Sequence, residues 1–254
     1  MPVKPTKKKR RATRAPAESP ALREARASLA VLWRSAPAAT RGPKAALTLD
    51  DLANAGIAIA DANGLGAVSM SRVAEAVGVT TMALYRYVPG KTELIDLMFD
   101  TAMGEPPDLD AIGGGWRPQI ERWARSLWDL VLAHPWALEV LLRLRLPGPN
   151  ELAWMERGAH ALAGARLTGA PLLDMLFLIV GQVRTVAQYA VAGPGVGERL
   201  GSADWAIGVS TLLADRAAQF PTLVAAAQAG AFGADSDPLA FGLARLLDGI
   251  ERYV

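Results

Sequence analysis

The stretch "GVTTMALYRYVPGKTELI", residues 78–95, decides the fold. It places two threonines, two tyrosines, an arginine and a lysine around few apolar positions and then breaks at a Pro-Gly pair. Thr80 is a residue type that caps helices, and proline ends them, so we predict a short helix from Thr80 through Tyr87. With Leu84 buried, its remaining side chains face solvent. We interpret this helix as one built to meet another polar surface.

The residues before this stretch predict two further helices. "TLDD" (48–51) resembles a capping box, and "DANGLG" (61–66) supplies a C-terminal glycine cap, so one helix lies between them. Ser69 caps the next helix, which ends at Gly78. The second and third helices, with the tight turn between them, have the spacing of a helix-turn-helix. Residues 91–103 predict a fourth, amphipathic helix.

In a helix-turn-helix the second helix enters the major groove of DNA. The exposed face predicted here carries Thr80, Thr81, Met82, Tyr85, Arg86 and Tyr87. Arginine can bind guanine edges with two hydrogen bonds, and the methyl groups of threonine and methionine can contact the thymine methyl. Tyrosine and lysine suit phosphates, which position the protein without specifying sequence. The segment therefore predicts a binding site for double-stranded DNA.

Residues 48–95 resemble the DNA-binding domain of the TetR family of bacterial repressors. The resemblance rests on "RVAEAVGVTTMALYRYVPGKTELIDLM", with the family pattern at Ala74, Gly78-Val79, Leu84-Tyr85, Val88, Pro89 and Lys91. It implies that Tyr85 and Lys91 contact phosphates and that Arg41 enters the minor groove. Tyr87 stands where many members have histidine. The full set of implied DNA-binding residues is Arg41, Lys44, Thr48, Ser69, Ser71, Arg72, Thr80, Thr81, Met82, Tyr85, Arg86, Tyr87 and Lys91.

The composition indicates the fold class, and the charge distribution distinguishes the N-terminal segment from the rest of the chain. The 254 residues are half apolar, with an apolar spacing of three and four that predicts an all-α protein, and they contain no cysteine. Residues 1–47 hold 12 Lys and Arg against 2 Glu, whereas the remainder holds 15 against 23 acidic residues. We expect residues 1–40 to be a basic, largely disordered extension with a possible short helix near 21–35. The basic tail is either a solvated end or a non-specific phosphate contact.

The shift in composition at "GEPPDLDAIGGG" (104–115) divides a helix-turn-helix domain with its connecting helix, residues 41–103, from a larger domain, residues 104–254. Helices are predicted in the larger domain near 116–133, 136–144, 150–166, 170–192, 203–217, 221–230 and 237–253. It resembles, less specifically, the ligand-binding domain of tetracycline-repressor-like proteins. Family resemblance implies that the helices near 170–192 and 237–253 form a homodimeric four-helix bundle.

Large apolar side chains in this domain could line an adaptable ligand pocket, although each could equally be ordinary core. The candidate ligand-binding residues are Trp123, Trp128, Trp136, Arg143, Met155, Met175, Phe177, Gln182 and Tyr189. The apolar segment 171–191 carries charged and amide residues, which favours a buried helix over a membrane span. We expect a cytoplasmic protein without membrane contact, cofactor or metal.

These features predict a ligand-responsive transcriptional regulator, a repressor released from a palindromic operator by a small hydrophobic effector. The alternative is an architectural or effector-independent DNA-binding protein, and a cavity in the C-terminal domain would favour the sensor. An enzyme is disfavoured. The chain has no Gly-x-Ser-x-Gly, His-Glu-x-x-His or phosphate loop, and "GLGAVS" (64–69) only half-matches a dinucleotide fingerprint.

Overall fold

The structure is a computed structural model that describes residues 19–33, 47–191, 202–231 and 237–253. These residues form helices and connecting loops, with no β-strand in the described ranges, as the all-α prediction requires. The helices are α1 (Pro20–Leu32), α2 (Leu49–Asn63), α3 (Met70–Ala76), α4 (Thr81–Leu84), α5 (Lys91–Met103), α6 (Trp116–Ala133), α7 (Ala137–Leu141), α8 (Pro149–Ala163), α9 (Gly169–Ala190), α10 (Ser202–Asp215), α11 (Pro221–Gln228) and α12 (Pro238–Tyr253).

The predicted caps are present in the helix-turn-helix. The Thr48 hydroxyl accepts the amide N–H of Asp51, whose carboxylate accepts the Thr48 N–H, which completes a capping box. Two predicted helices are shorter in the structure. The helix expected over 80–87 ends as α4 at Leu84, and the amide N–H groups of Arg86 and Tyr87 then bond three rather than four positions back. The helix expected over 136–144 is α7, five residues long.

Helix α5 lies at the centre of the molecule. Its seven consecutive residues from Leu94 to Asp100 are all buried, because α1, α2, α7 and α8 pack around it. Gly56 on α2 permits a close approach to α5, since a Cβ there would lie 2.6 Å from the Met98 sulfur. A helix enclosed on every side cannot shift without moving its neighbours. Helix α5 thus joins the N-terminal helices mechanically to the larger domain.

Helix α1 belongs to the packed structure. Ser19 caps it, and Ser28, Val31 and Leu32 on its inner face are buried against α5. The short helix expected near 21–35, within the basic extension of residues 1–40, forms over residues 20–32. This helix is amphipathic, and burial of Val31 and Leu32 on its inner face stabilises it although the surrounding segment is basic.

The larger domain is built on α6, α8 and α9, with α12 packed on α9. Gly158 on α8 lets the helices approach, because a Cβ there would lie 2.6 Å from Leu176 and 2.9 Å from the Trp123 ring. Arg117 on α6 binds two acidic side chains of α12, at 2.7 Å from Asp248 and 3.0 Å from Glu251. These contacts fix α12 against the body of the domain.

Candidate nucleic-acid interface and effector region

Helices α3 and α4 form a helix-turn-helix whose outer surface is exposed. The turn is closed by a 2.9 Å hydrogen bond from the Val79 N–H to the Ala74 carbonyl, and Gly78 adopts a φ of +71° that favours glycine. Leu84 is completely buried beneath the turn. Met82 and Tyr85 are 76% and 46% exposed, although methionine is among the residue types most often fully buried and tyrosine is intermediate. The geometry leaves these side chains free to contact a partner.

Three hydroxyl candidates lie at helix N-termini. The side-chain oxygens of Thr48, Ser69 and Thr80 accept the amide N–H of Asp51, Arg72 and Ala83, respectively, at 3.1 to 3.2 Å. A hydroxyl oxygen used in this way retains one lone pair, and the hydroxyl hydrogen can still be donated. At Thr48 that hydrogen is donated to Asp51, so Thr48 is the most fully committed of the three.

Arg72 stabilises the domain internally. Its guanidinium donates to the Ala67 carbonyl at 3.1 Å and to the Asn63 side chain at 3.2 Å, which ties α3 to the end of α2. Arg86 and Lys91 are exposed, Tyr87 is half-buried, and Ser71 lies 3.1 Å from the hydroxyl of Ser69. The other predicted DNA contacts, Arg41 and Lys44, lie outside the described residues.

The nine predicted ligand-binding residues occupy different environments. Trp123 and Trp136 are core residues whose indole N–H groups donate to the Trp154 carbonyl at 2.9 Å and to Asp61 at 2.7 Å. Arg143 is bonded to Asp96 at 3.3 Å. Two of the nine, Phe177 and Tyr189 on α9, are exposed, at 57% and 61%. The four partly buried members are Trp128, Met155, Met175 and Gln182.

Two open grooves lie on the larger domain, and none of the nine residues lines either one. The first has a volume of about 350 Å³ and lies where α5, α6 and α8 meet. Its lining combines apolar Met103, Leu130 and Trp154 with the side chains of Asp129 and His134. The second, of about 500 Å³, has Arg157 and His160 among its lining residues.

Comparison with known proteins decides the family. Residues 52–98 match "Bacterial regulatory proteins, tetR family", and residues 107–254 match "Tetracyclin repressor-like, C-terminal domain". The chain belongs to the TetR family. The HTH-type transcriptional repressor DrrR1 of Streptomyces coeruleorubidus is 37% identical over 231 residues, which cover 89% of this chain and 86% of the relative.

Solved structures of the TetR-family protein ActR from Streptomyces coelicolor share the fold. Apo ActR is 30% identical with a TM-score of 0.69, covering 82% of this chain and 97% of that chain. ActR in complex with (S)-DNPA is 29% identical with a TM-score of 0.70, covering 83% and 100%. ActR in complex with actinorhodin is 30% identical with a TM-score of 0.69, covering 82% and 96%. As a TetR-family member, the chain is a DNA-binding transcriptional regulator.

In this TetR-family chain, Asp61 connects the two parts of the molecule. It lies on α2, and its Oδ1 is 2.9 Å from the His134 Nδ1 and accepts the Trp136 indole N–H. His134 ends α6 and also lines the first groove. One carboxylate of the DNA-binding helices is thus bonded to the edge of a groove in the larger domain.

A second connection, between α5 and the start of α8, was not predicted from the sequence. Asp100 on α5 is only 4% exposed, and its carboxylate accepts the amide N–H groups of Asn150 and Glu151 at the start of α8. Burial raises the pKa of Asp100, while these two hydrogen bonds and nearby Arg145 oppose the rise. Burial likewise raises the pKa of Glu151, against the attraction of Arg145 at 2.8 Å.

The sequence contains the acidic pair of this cluster, Asp96 and Asp100, but does not show that the pair is buried. An acidic pair four residues apart on an amphipathic helix normally marks the solvent-facing side. Only the packing of α1 and α8 over that side converts Asp96 and Asp100 into buried groups. The "LRLRL" run (142–146 with Leu142 and Leu144 exposed) places Arg145 over the Phe99 ring at 4.4 Å, which no sequence periodicity indicated.

Proposed function

We propose that the chain is a repressor whose homodimer binds a palindromic operator and leaves it when a small hydrophobic molecule binds the larger domain. The observation that carries this proposal is the α3–α4 turn, which buries Leu84 while exposing Met82 and Tyr85 on one outer face. Thr80, Thr81 and Arg86 supply the remaining base-facing groups, and Lys91 supplies a phosphate contact at the start of α5.

Dimerisation is supported by the surface of α9 and α12. Helix α9 is the one helix among the described residues long and apolar enough to cross a membrane, yet it packs through Leu176, Ile179 and Val183 into the protein core. Its other side exposes Phe177, and α12 exposes Phe241. A second copy covering both helices would bury this apolar surface, which a soluble monomer rarely exposes. Two copies also read both halves of a palindrome.

The operator is found by selecting bound fragments from genomic DNA with the purified protein at a stated salt concentration. We expect a short palindrome upstream of a few genes. Tyr85→Phe combined with Arg86→Ala should reduce affinity for that palindrome, while Arg122→Ala, an exposed arginine on the larger domain, should leave it unchanged. Binding that is indifferent to sequence would reject the operator assignment.

Effector binding is supported by the first groove and by the ActR relatives that bind actinorhodin and (S)-DNPA. The apolar floor of Met103, Leu130 and Trp154 suits a hydrophobic ring system, and a volume of about 350 Å³ lies at the lower end of ligand-site sizes. His134 lies at its edge and contacts Asp61 of α2. A molecule displacing His134 would therefore alter a contact made to the DNA-binding helices. Helix α5, which also lines the groove, would move the recognition helices apart.

Actinorhodin and (S)-DNPA are the first probes for this step. Each is titrated against the protein on its operator, and release is followed by fluorescence anisotropy of labelled DNA. Leu130→Trp should fill the groove and block release without changing affinity for the operator. The control Leu132→Trp replaces an exposed leucine of the same helix that does not line the groove. Release that persists in Leu130→Trp would place the effector elsewhere.

The remaining assignments follow from the same function. A regulator of this kind acts by binding, so we infer that it is not an enzyme, and access to chromosomal DNA implies a cytoplasmic location. The effector-independent alternative makes a different prediction. If no small molecule in a broad library releases the operator, and none changes the thermal stability of the dimer, the larger domain serves dimerisation alone.

A further inference from the structure

The first groove of the larger domain, where α5, α6 and α8 meet, has an apolar floor formed by Met103, Leu130 and Trp154. All three side chains are buried. The Trp154 indole N–H already donates to the carbonyls of Met103 and Gly104, at 3.1 Å each, so it offers no donor to a bound molecule. The floor therefore suits an apolar ring, and the polar residues around it determine which charge a ligand can carry.

The charged residues that line this groove are acidic. Glu105 and Asp129 both line it, and both are exposed. Within the described residues, neither carboxylate forms an ion pair. The residue four positions before Asp129 on α6 is Arg125, a spacing at which opposite charges usually attract. Arg125 instead binds Asp237 of α12 at 2.8 Å, which leaves Asp129 available to another cation.

His134 adds a further hydrogen-bond acceptor to the groove. Its Nδ1 lies 2.9 Å from Asp61 Oδ1. An ionised carboxylate can only accept hydrogen bonds, so the Nδ1 of His134 carries the hydrogen in this contact. In the neutral ring the other nitrogen, Nε2, is then an acceptor. Acceptors thus predominate among the polar groups of the lining.

The second groove differs in this respect. Its Arg157 is bonded at 2.9 Å to Asp110, which lines the same groove, so that cation is already neutralised within its own site. The surrounding domain favours cations as well, because residues 104–254 contain 12 arginines and no lysine against 16 Asp and Glu. Among the described residues that line the first groove there is no lysine or arginine to bind an anionic ligand.

We propose that the first groove binds a cationic aromatic molecule, an organic amine whose ring contacts the apolar floor and whose charged nitrogen faces Glu105 and Asp129. The inference rests on the proposed effector function and names the chemical class that the groove selects. Charge complementarity of this kind gives selectivity more than affinity, because exposed ion pairs are weak. A small inorganic cation would gain nothing from the apolar floor, and an uncharged ring would gain nothing from the carboxylates.

The first test compares three probes that share a naphthalene ring: naphthylmethylamine, naphthalenemethanol and naphthoate. Binding to the full-length protein is measured by isothermal titration calorimetry without DNA. One exposed ion pair is worth up to about fivefold in affinity, so two carboxylates should favour the amine over the alcohol by roughly tenfold. Naphthoate should bind more weakly than the alcohol, and salt should reduce the preference for the amine. An amine that binds no more tightly than the alcohol, or does not bind, would overturn the proposal.

The second test removes the two charges. Glu105→Gln combined with Asp129→Asn keeps the size of both side chains, and since both are exposed the variant should fold like wild type. We expect its affinity for the amine to fall to that for the alcohol, with the alcohol unaffected. The control Asp174→Asn, an exposed carboxylate of α9 that lines neither groove, should keep the wild-type preference. A preference that survives in the double variant would refute the role of these carboxylates.

A third test establishes where the amine binds. Ala133→Trp introduces a large side chain at an exposed position that lines the groove and should abolish detectable binding of the amine. Leu132→Trp makes the same kind of change at the preceding residue, which is exposed but does not line the groove, and should leave binding unchanged. Equal binding of the amine by the two variants would place its site outside the groove and overturn the proposal.

These outcomes are distinct from a failure of the proposed function, because binding is measured without DNA. If the amine binds with the expected preference but does not release the protein from its operator, the effector function of the groove fails and the cation site remains. If another molecule releases the operator while the amine does not bind, the effector function stands and the proposed ligand class is wrong.

Discussion

Replacement of Asp100 tests how α5 is joined to the larger domain. Its Oδ1 accepts the Glu151 N–H at 3.0 Å, and its Oδ2 accepts the Asn150 N–H at 3.3 Å. Asp100→Ala leaves two amide donors in the first turn of α8 without their partners in a buried place. Loss of an N-terminal cap and of buried hydrogen bonds costs about 2 kcal/mol. Asp100→Asn keeps one acceptor for the shorter bond, so it should cost less than about 1 kcal/mol.

The acid-base behaviour of Asp100 sharpens this test. Burial raises the pKa of Asp100 above its ordinary value of 3.8, so the folded state binds the proton more tightly than the unfolded state does. The charged, buried carboxylate lowers the stability of the folded protein. This loss is fully present above the folded pKa and disappears as the pH falls through that pKa. Wild type should therefore gain stability relative to Asp100→Asn as the pH falls from neutral through the raised pKa towards the ordinary carboxylate value of 3.8. The opposite trend would contradict the raised pKa.

The assay is urea unfolding of the three proteins at one fixed protein concentration, because dimer stability depends on concentration. Asp215→Ala, an exposed acidic residue beyond this cluster, serves as the control and should change stability by less than about 0.5 kcal/mol. If Asp100→Asn loses as much as Asp100→Ala, charge rather than hydrogen-bond acceptance joins the helices. If neither variant loses stability, the cap is energetically irrelevant, and the reasoning is refuted.

Three further variants test the remaining parts of the mechanism. Tyr85→Phe with Lys91→Ala should weaken binding to all DNA sequences and reduce the salt slope of operator affinity, whereas unchanged operator affinity would contradict the phosphate assignment. Asp61→Ala leaves the buried Trp136 indole without an acceptor and should cost about 1–2 kcal/mol in urea unfolding; a stability equal to wild type would dismiss that contact. Phe177→Glu should shift the protein towards monomer in sedimentation velocity and lower operator affinity, and a persistent dimer would place the interface elsewhere.

Most of the fold could be predicted because local signals agreed with the packing. The capping residues Thr48, Ser69 and Thr80 fixed where three helices begin, and proline or glycine marked most of the other ends. The recognition helix was predicted too long, because Tyr85 and Tyr87 are compatible with a helix in isolation. The structure instead uses a tighter final turn that lets Val88 enter the core. The packing of α1 against α5 was not predicted, because the helix lies in a basic segment and its apolar face is short.

The effector site stays a prediction, because sequence spacing cannot locate it. Aromatic side chains at helical spacing are required equally by a pocket and by a core, and sequence spacing does not distinguish the two. The structure places Trp123 and Trp136 in the core with their indole N–H groups bonded to protein. Residues that line the first groove, such as Met103 and Ala102, belong to α5 and were assigned from sequence only to the connection. A groove formed between distant segments has no continuous signal in any one of them.

The buried acidic pair on α5, Asp96 and Asp100, restricts the positions that this connecting helix can adopt. Close packing alone limits the movement of a connecting helix, but apolar contacts are not directional and do not select one orientation of it. Asp96 and Asp100 add directional bonds to α1, to Arg143 and to the start of α8. Burying two carboxylates is costly, so each bond must be kept or exchanged for another. Helix α5 should therefore have few discrete positions, which is the condition under which binding at a groove can change the spacing of two recognition helices.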